Sequence, residues 1–461
     1  MLKINISQIK DFPAEEMAKF QSLIATYNAH SSKNDVKNKY YEGKISLNDV
    51  NLGIALPDGL RKLEIGCTWG AKTVDVLAGR SMFDGYVDEN GLTSDVLDQI
   101  VENNNLVDAY IKACRDELKY GCVFATLSDS ETGAKIRFHS PQTAAGVWDG
   151  EKGRIDYGFA IINTAPDNSK SYWEATLINY YTDDSIWVLQ RYGTDMWVAE
   201  QHPHKMGRPL MEALIWNATS DKPFGRSRIK EPIRRLIDGY VRTIANATIG
   251  LEFSTSPQKY ILGVSDEQYD ALIDDKFRMY VGSIIASTDN PETGERPSFG
   301  QLPQGSISPH VEMLRMLSTQ FSAATGLSVT DAGVVNEANP TSSEAIIAQS
   351  QTLIATAQQL NIGNGAALKS IALMALAITY DTSLDGLSDE QKSVVAHFKN
   401  PAMPSVSVTA DAAIKIASAR QGFASTDVFL EMLGFDKADI RRIKAQEGRS
   451  RGVQLIQEIE G

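Results

Sequence analysis

The sequence predicts an α+β chain, and three observations carry that prediction. Residues 14–27 and 92–120 place apolar side chains at helical spacing. Residues 121–215 switch to short alternating runs rich in Tyr, Trp, Val, Ile and Thr. Long amphipathic stretches then return from Ile229 onward. The composition, 43% hydrophobic and 22% charged over 461 residues, excludes wholesale disorder, collagen and a coiled-coil rod. A chain of this length holds roughly two to four domains and a large core.

In the first helical region Asp95, Asp98 and Glu102 alternate with Val96, Leu97, Ile100 and Val101. The β region contains KIRFHS, DYGFAII, WEATLINYY and SIWVLQRY, separated by turn clusters such as DGEKG and APDNS, which reads as antiparallel sheet. After DKPFGRSR, the residues Ile229, Ile233, Leu236, Ile237, Tyr240, Val241, Ile244 and Leu251 recur every three or four positions. They predict one long helix whose regular part starts at Pro232, since proline fits only the first turns. Residues 256–305 read as a compact insertion with a strand-like KYILGV and a helix-like SDEQYDALIDDKF. A second helix is expected over 309–325, with Val311, Leu314, Leu317 and Phe321 on one face and Gly326 as its stop.

The segment GLSVTDAGVVNEANP has no periodicity and reads as a long polar loop with few buried contacts. Thr341 and Glu344 have capping-box spacing after Pro340, and open a helix that runs to about residue 380 with a bend at Gly363 and Gly365. Its apolar end, AALKSIALMALAITY, contains Lys369 and is shorter than the roughly 20 residues a spanning helix needs. It is expected to be a buried helix, and no membrane is expected as a partner. Residues 411–420, 426–433 and 436–460 read as three further helices broken at Gly422 and Gly434.

Acidic side chains outnumber basic ones by 58 to 45, a formal charge of −13, which argues against a surface built to grip nucleic acid. Cys67, Cys114 and Cys122 are an odd set in a long chain and suggest free thiols in a reducing compartment. The first residues, MLKINISQIKDFPAEEM, are charged throughout and lack a signal-peptide core.

Candidate chemistry is sparse. GCTWGAKT, residues 66–73, approaches a P-loop through Lys72 and Thr73, but Ala71 stands where the motif needs glycine for close backbone approach to phosphate. The plainer reading is a helix start with Lys72 in solvent. His202 and His204 are two potential metal ligands without a third nearby, and read as a polar turn. No catalytic set, cofactor or metal site can be picked out, so the chain is not expected to be an enzyme. Arg226, Arg228, Lys230, Arg234, Arg235 and Arg242 form a basic stripe in an acidic chain. It is either a solvated helix face or a contact for an acidic partner or phosphates.

The order of these pieces resembles the portal protein family of tailed bacteriophages, in particular the branch typified by the portal of the Bacillus phage SPP1. The resemblance runs from about residue 40 to 461 and rests on TWGAKTVDVLAGR followed by DGY, HKMGRPLMEALIWN, GRSRI opening a helix with Asp238, SPQKYILG, NPTSSEAI, TADAAIKIAS and STDVFLEMLGFDKADIRRI. It implies a portal fold: a mixed α/β wing over 1–224, stem helices at 225–253 and 309–326, and a small α/β clip at 254–308. A tunnel loop at 327–341, a long helix returning to the wing over 342–410 and a helical crown at 411–461 complete it. The clip and crown are short for the family.

Such a protein forms a dodecameric ring at one capsid vertex, through which double-stranded DNA is packaged and ejected. It also nucleates procapsid assembly and joins head to tail. Its partners would be the major capsid protein, a scaffolding protein, the terminase large subunit during packaging and a head–tail adaptor protein, placing it in the virion and, during assembly, in the host cytoplasm. Carried onto this chain, Asp331, Gly333, Asn336, Glu337 and Asn339 would line the channel. Arg228, Arg234, Arg235 and Arg242 would form a basic stem face. Ile233, Leu236, Ile237 and Val241 would bury against neighbouring subunits as well as the second stem helix. An acidic ring wall would repel phosphate and let DNA slide. A P-loop packaging ATPase, or another connector or baseplate protein of a virion, are the alternatives.

Overall fold

The computed structural model describes residues 2, 4, 9–46, 64–88, 94–131, 133–164, 175–193, 196–255, 259–263, 294, 298–301, 306–333, 343–402, 406–420, 422–435, 439–440 and 442–449. The fold is α+β, as the sequence predicts, and the chain divides into two compact units, Met1–Pro401 and Ala402–Gly461.

The first unit opens with a short strand, β1 (Ile9–Lys10), and a helix, α1 (Ala14–Tyr41). Pro13 precedes that helix, and Glu15 and Glu16 in its first turn complement the helix dipole. Phe20, Leu23, Ile24 and Tyr27, one face at helical spacing, are all buried. Two small strands, β2 (Lys44–Ser46) and β3 (Glu64–Gly66), pair with each other and lead into α2 (Trp69–Ala78) and β4 (Phe83–Val87). The expected continuous helix over 92–120 is two helices, α3 (Asp95–Asn103) and α4 (Leu106–Tyr120). The break falls where Asn105 takes a positive φ of 46° and Asn104 turns its amide to the carbonyls of Ile100 and Ala134.

Eight strands follow, as the alternation predicts: β5 (Cys122–Ser128), β6 (Lys135–His139), β7 (Ala144–Asp149), β8 (Arg154–Thr164), β9 (Ala175–Tyr181), β10 (Ser185–Tyr192), β11 (Met196–Pro203) and β12 (Met211–Ile215). Strands β7 to β11 form an antiparallel meander, with β1 added parallel to β11 through Ile9 opposite Trp197 and Lys10 opposite Val198. Strands β12, β5 and β6 form a separate three-stranded sheet. The buried face of α1 lies on the meander, where Phe12, Phe20, Phe159, Tyr180 and Trp187 meet edge to face at 5.3–6.0 Å.

The helix predicted from Pro232 is α5 (Glu231–Thr255), and the one predicted to stop at Gly326 is α6 (Ser308–Thr325), with Gly326 at φ 71°. Between them β13 (Lys259–Leu262) pairs with β14 (Ser298–Gln301), so the strand read from KYILGV forms. The helix read from SDEQYDALIDDKF lies outside the described residues, as does the capping residue Thr341. Helix α7 (Ser343–Thr379) runs unbroken through Gly363 and Gly365. Its 350–379 portion has the length and composition of a membrane span. It is nevertheless a core element: Leu353, Ala357, Leu360, Leu368, Ile371, Ala372, Met374 and Ala375 are buried. A short helix, α8 (Asp389–Lys392), precedes β15 (Val395–Phe398), which pairs with β4.

The second unit holds α9 (Val406–Ala419) and α10 (Asp427–Met432), the latter capped by the Thr426 hydroxyl on the amide of Phe429. Ala413 and Ile440 are buried in it, whereas Ile414, Ile416, Val428 and Phe435 are exposed.

Candidate functional site

The site worth building is the junction where α5, α6 and the segment after α6 meet the first helices. The two helices run antiparallel. Arg228, just before α5, reaches Thr325 at the end of α6, and Gly239 lies against the side chain of Leu317. At this end their apolar residues are covered by their own chain: Ile233, Ile237, Val241, Ala245, Leu317 and Phe321 are all buried. Trp69 of α2 is the wedge between them. Its indole stacks on Phe321 at 4.5 Å and 17° and sits 4.5 Å from Tyr240. Tyr40 of α1 adds a 2.7 Å hydrogen bond to Asp238.

Cover fails toward the other end. Leu251 late in α5, and Val311, Met313 and Met316 early in α6, are exposed, as are Leu262 and Phe299 on the β13–β14 pair. Ring interface residues were expected at Ile233, Leu236, Ile237 and Val241. Within the single chain Ile233, Ile237 and Val241 are already buried, in the core cluster that also holds Trp69 of α2 and Leu317 and Phe321 of α6. Leu236 is half-buried. The period of an amphipathic helix marks a covered face without saying whose chain covers it.

The basic stripe also separates. Arg228 is half-buried. Its guanidinium donates to the carbonyl of Thr73 in α2 and, at 2.6 Å, to that of Thr325. Burial pulls its pKa down to about 10. Arg234 lies 5.8 Å over the Tyr40 ring. Arg235 is exposed and paired with Glu231 at 2.6 Å, and Arg242 is exposed. The stripe therefore holds an internal clasp, a cation on an aromatic ring and the surface charges Arg226, Lys230, Arg235 and Arg242, and does not form a single charged face.

The segment after α6 was expected to be a loop with few buried contacts. Its first half is instead an anchored turn. Leu327 and Ala332 are buried, and the Asp331 carboxylate accepts from the Ser328 hydroxyl at 2.7 Å and from its amide at 3.2 Å. Lys72 Nζ donates to the carbonyl of Asp331, and the Trp69 indole donates to that of Ala332 at 3.2 Å. Gly333 follows at φ 91°, which only glycine adopts without strain. Asn336, Glu337 and Asn339 lie outside the described residues.

Lys72 is thus not a solvent-facing helix residue, and Thr73 is fully buried with its hydroxyl on the Trp69 carbonyl at 2.8 Å. Gly70 packs against the Tyr40 carbonyl. These groups bind the chain's own backbone and leave no cradle for a phosphate. Trp69 and Lys72 as anchors of a distant turn were missed. The aromatic residues that meet at Trp69 come from three segments, and nothing local announces that they converge. Among the described residues no group of three His, Cys, Asp or Glu side chains could hold a metal ion.

No family model matches the chain, and no curated protein matches it. Solved structures do resemble it. A chain of "Neck of empty GTA particle computed with C6 symmetry" is 12% identical, with 80% of this chain and 90% of that chain covered and a TM-score of 0.48. A chain of "Virion of native gene transfer agent (GTA) particle" is 13% identical, with 80% and 89% covered and a TM-score of 0.45. A chain of "Neck of native GTA particle computed with C12 symmetry" is 12% identical, with 80% and 89% covered and a TM-score of 0.44.

Proposed function

We propose that this chain is a portal-type conduit: a homo-oligomeric ring, dodecameric in the virion, through which double-stranded DNA is packaged and ejected. The observation that carries the reading is the uneven cover of the helix pair. One end is sealed by its own chain, and the other presents Leu251, Val311, Met313 and Met316 to solvent. A surface that repeats identically on every copy and is covered head to tail closes into a ring. The order of sequence motifs that resembles the portal family supplies the rest of the reading. In it, the turn that holds Asp331 and Gly333 positions Asn336, Glu337 and Asn339 along the channel. Arg235 and Arg242, both exposed, would face an acidic capsid or scaffolding surface. The terminase large subunit and a head–tail adaptor dock at the residues between α5 and α6.

A P-loop packaging ATPase would need Lys72 and Thr73 facing a nucleotide, and both are engaged with backbone carbonyls. Another connector or baseplate protein would assemble without an axial channel that admits duplex DNA. Top-view class averages of the purified protein decide the matter. Closed rings with such a channel are expected, and monomers or channel-free assemblies at assembly concentrations overturn the proposal.

A further inference from the structure

At the midpoint of helix α7, Asn361 and Asn364 flank Gly363. Asn364 has no exposed surface. Its amide donates to the Tyr110 hydroxyl at 2.9 Å and to Oε2 of Glu117 at 2.8 Å, both on α4. Tyr110 and Ser81 oxygens lie 2.6 Å apart, and the Ser81 hydroxyl donates to Asn361 Oδ1 at 2.6 Å. The direction of this chain is forced. Ser81 has one hydrogen and gives it to Asn361, so Tyr110 must donate to Ser81, and Asn364 to Tyr110. Tyr110 therefore has no proton left for Glu117.

Glu117 is fully buried, and its Oε1, together with Asn364 Oδ1, has no hydrogen-bond partner among the described residues. The titratable groups around it are Tyr110 and Cys114 of α4 and Cys122 of β5. All are acids that burial keeps neutral, with the Cys122 thiol pushed up to about 12. The cation in this region, Lys37 of α1, faces Cys122 and donates to the Tyr120 carbonyl at 2.9 Å. A carboxylate here would sit buried without a counter-charge, whereas a carboxylic acid carries no charge to desolvate and still accepts from Asn364.

We propose that Glu117 is a neutral carboxylic acid that latches α4 to the midpoint of α7, and that the latch weakens as protons are withdrawn. Gly363 and Gly365 beside it make local opening of α7 inexpensive, since glycine lowers helix propensity relative to alanine. Burial places the Glu117 carboxyl up at about 8, against 4.5 when exposed to water. The closed state then binds one more proton than the open state between those values. Opening becomes about tenfold more favourable for each pH unit from 4.5 to 8, and levels off above.

The test uses the purified full chain and does not depend on ring formation or DNA. Hydrogen exchange is followed at the amides of residues 358–368, corrected for the intrinsic pH dependence of exchange. In the wild type, protection should fall about tenfold per pH unit up to about 8 and then stay level. In Glu117→Gln, whose carboxamide oxygen can accept from Asn364 and which does not titrate, protection should be independent of pH. Parallel profiles for the two proteins overturn the proposal. Infrared spectroscopy of the wild type gives a readout independent of how the variant folds. At pH 7, a buried neutral carboxylic acid shows its carbonyl stretch, which disappears as pH rises past 8. Its absence at pH 7 also overturns the proposal.

Discussion

Arg228 shows how much one residue's position alters its meaning. As the second basic residue of a run it reads as surface charge, yet it joins two carbonyls from segments 155 and 97 positions away in sequence. Those separations explain why the run could not reveal it. Arg228→Ala should lower unfolding stability by about 3 kcal/mol, because two buried carbonyls lose charge-assisted donors. Arg228→Lys should recover little, since a single ammonium cannot span both acceptors. Urea denaturation at neutral pH measures both. Arg235 is the control: reversing it to Glu should leave the urea midpoint nearly unchanged, because its partner pair is solvent-exposed and screened.

At the level of elements, local signals succeeded where the physics is local. Alternation gave the meander strands, Pro232 marked the first turn of α5, and Gly326 ended α6 in the left-handed conformation a helix stop requires. They failed where an element's limits depend on a distant partner. Asn104 breaks the α3–α4 stretch by bonding across to Ile136 and Ala134, and the turn after α6 is held by α2. The helix pair yields a paired experiment. Met316→Asp or Val311→Asp should leave the folding of the single chain intact while ring assembly is lost in sizing and electron micrographs. Ile237→Asp should unfold the chain, with a penalty of at least the 2–5 kcal/mol of a large-to-small core change. Rings that survive Met316→Asp and Val311→Asp together would remove the exposed end of the pair from the interface. Deleting residues 331–333 should lower the thermal midpoint by several degrees, because Trp69 and Lys72 both lose their acceptors.

For the whole molecule, a charge of −13 per chain sets the expectation for DNA. The assembled ring should retain no duplex in a mobility-shift experiment at moderate salt, because acidic side chains outnumber basic ones by 58 to 45 on every chain. Introducing Glu337→Lys should produce retention in low salt that vanishes as salt is raised. A variant ring that releases DNA at every salt concentration would take residue 337 away from the channel wall. The parallel pairing of Ile9 and Lys10 with Trp197 and Val198 bears on how such experiments are prepared. Beyond that contact, β11 continues through Glu200, His202 and Pro203, a charged and proline-terminated edge that discourages further pairing. The apolar end of the strand, Met196 to Ala199, relies on β1 instead. Leu2 is stitched to Asn28 by two hydrogen bonds, and Phe12 is locked among the aromatic rings, so the short strand is held from both sides. Trimming the first twelve residues would uncover a bare apolar template and turn a well-behaved sample into one that sticks edge to edge, so purification handles belong at the other end.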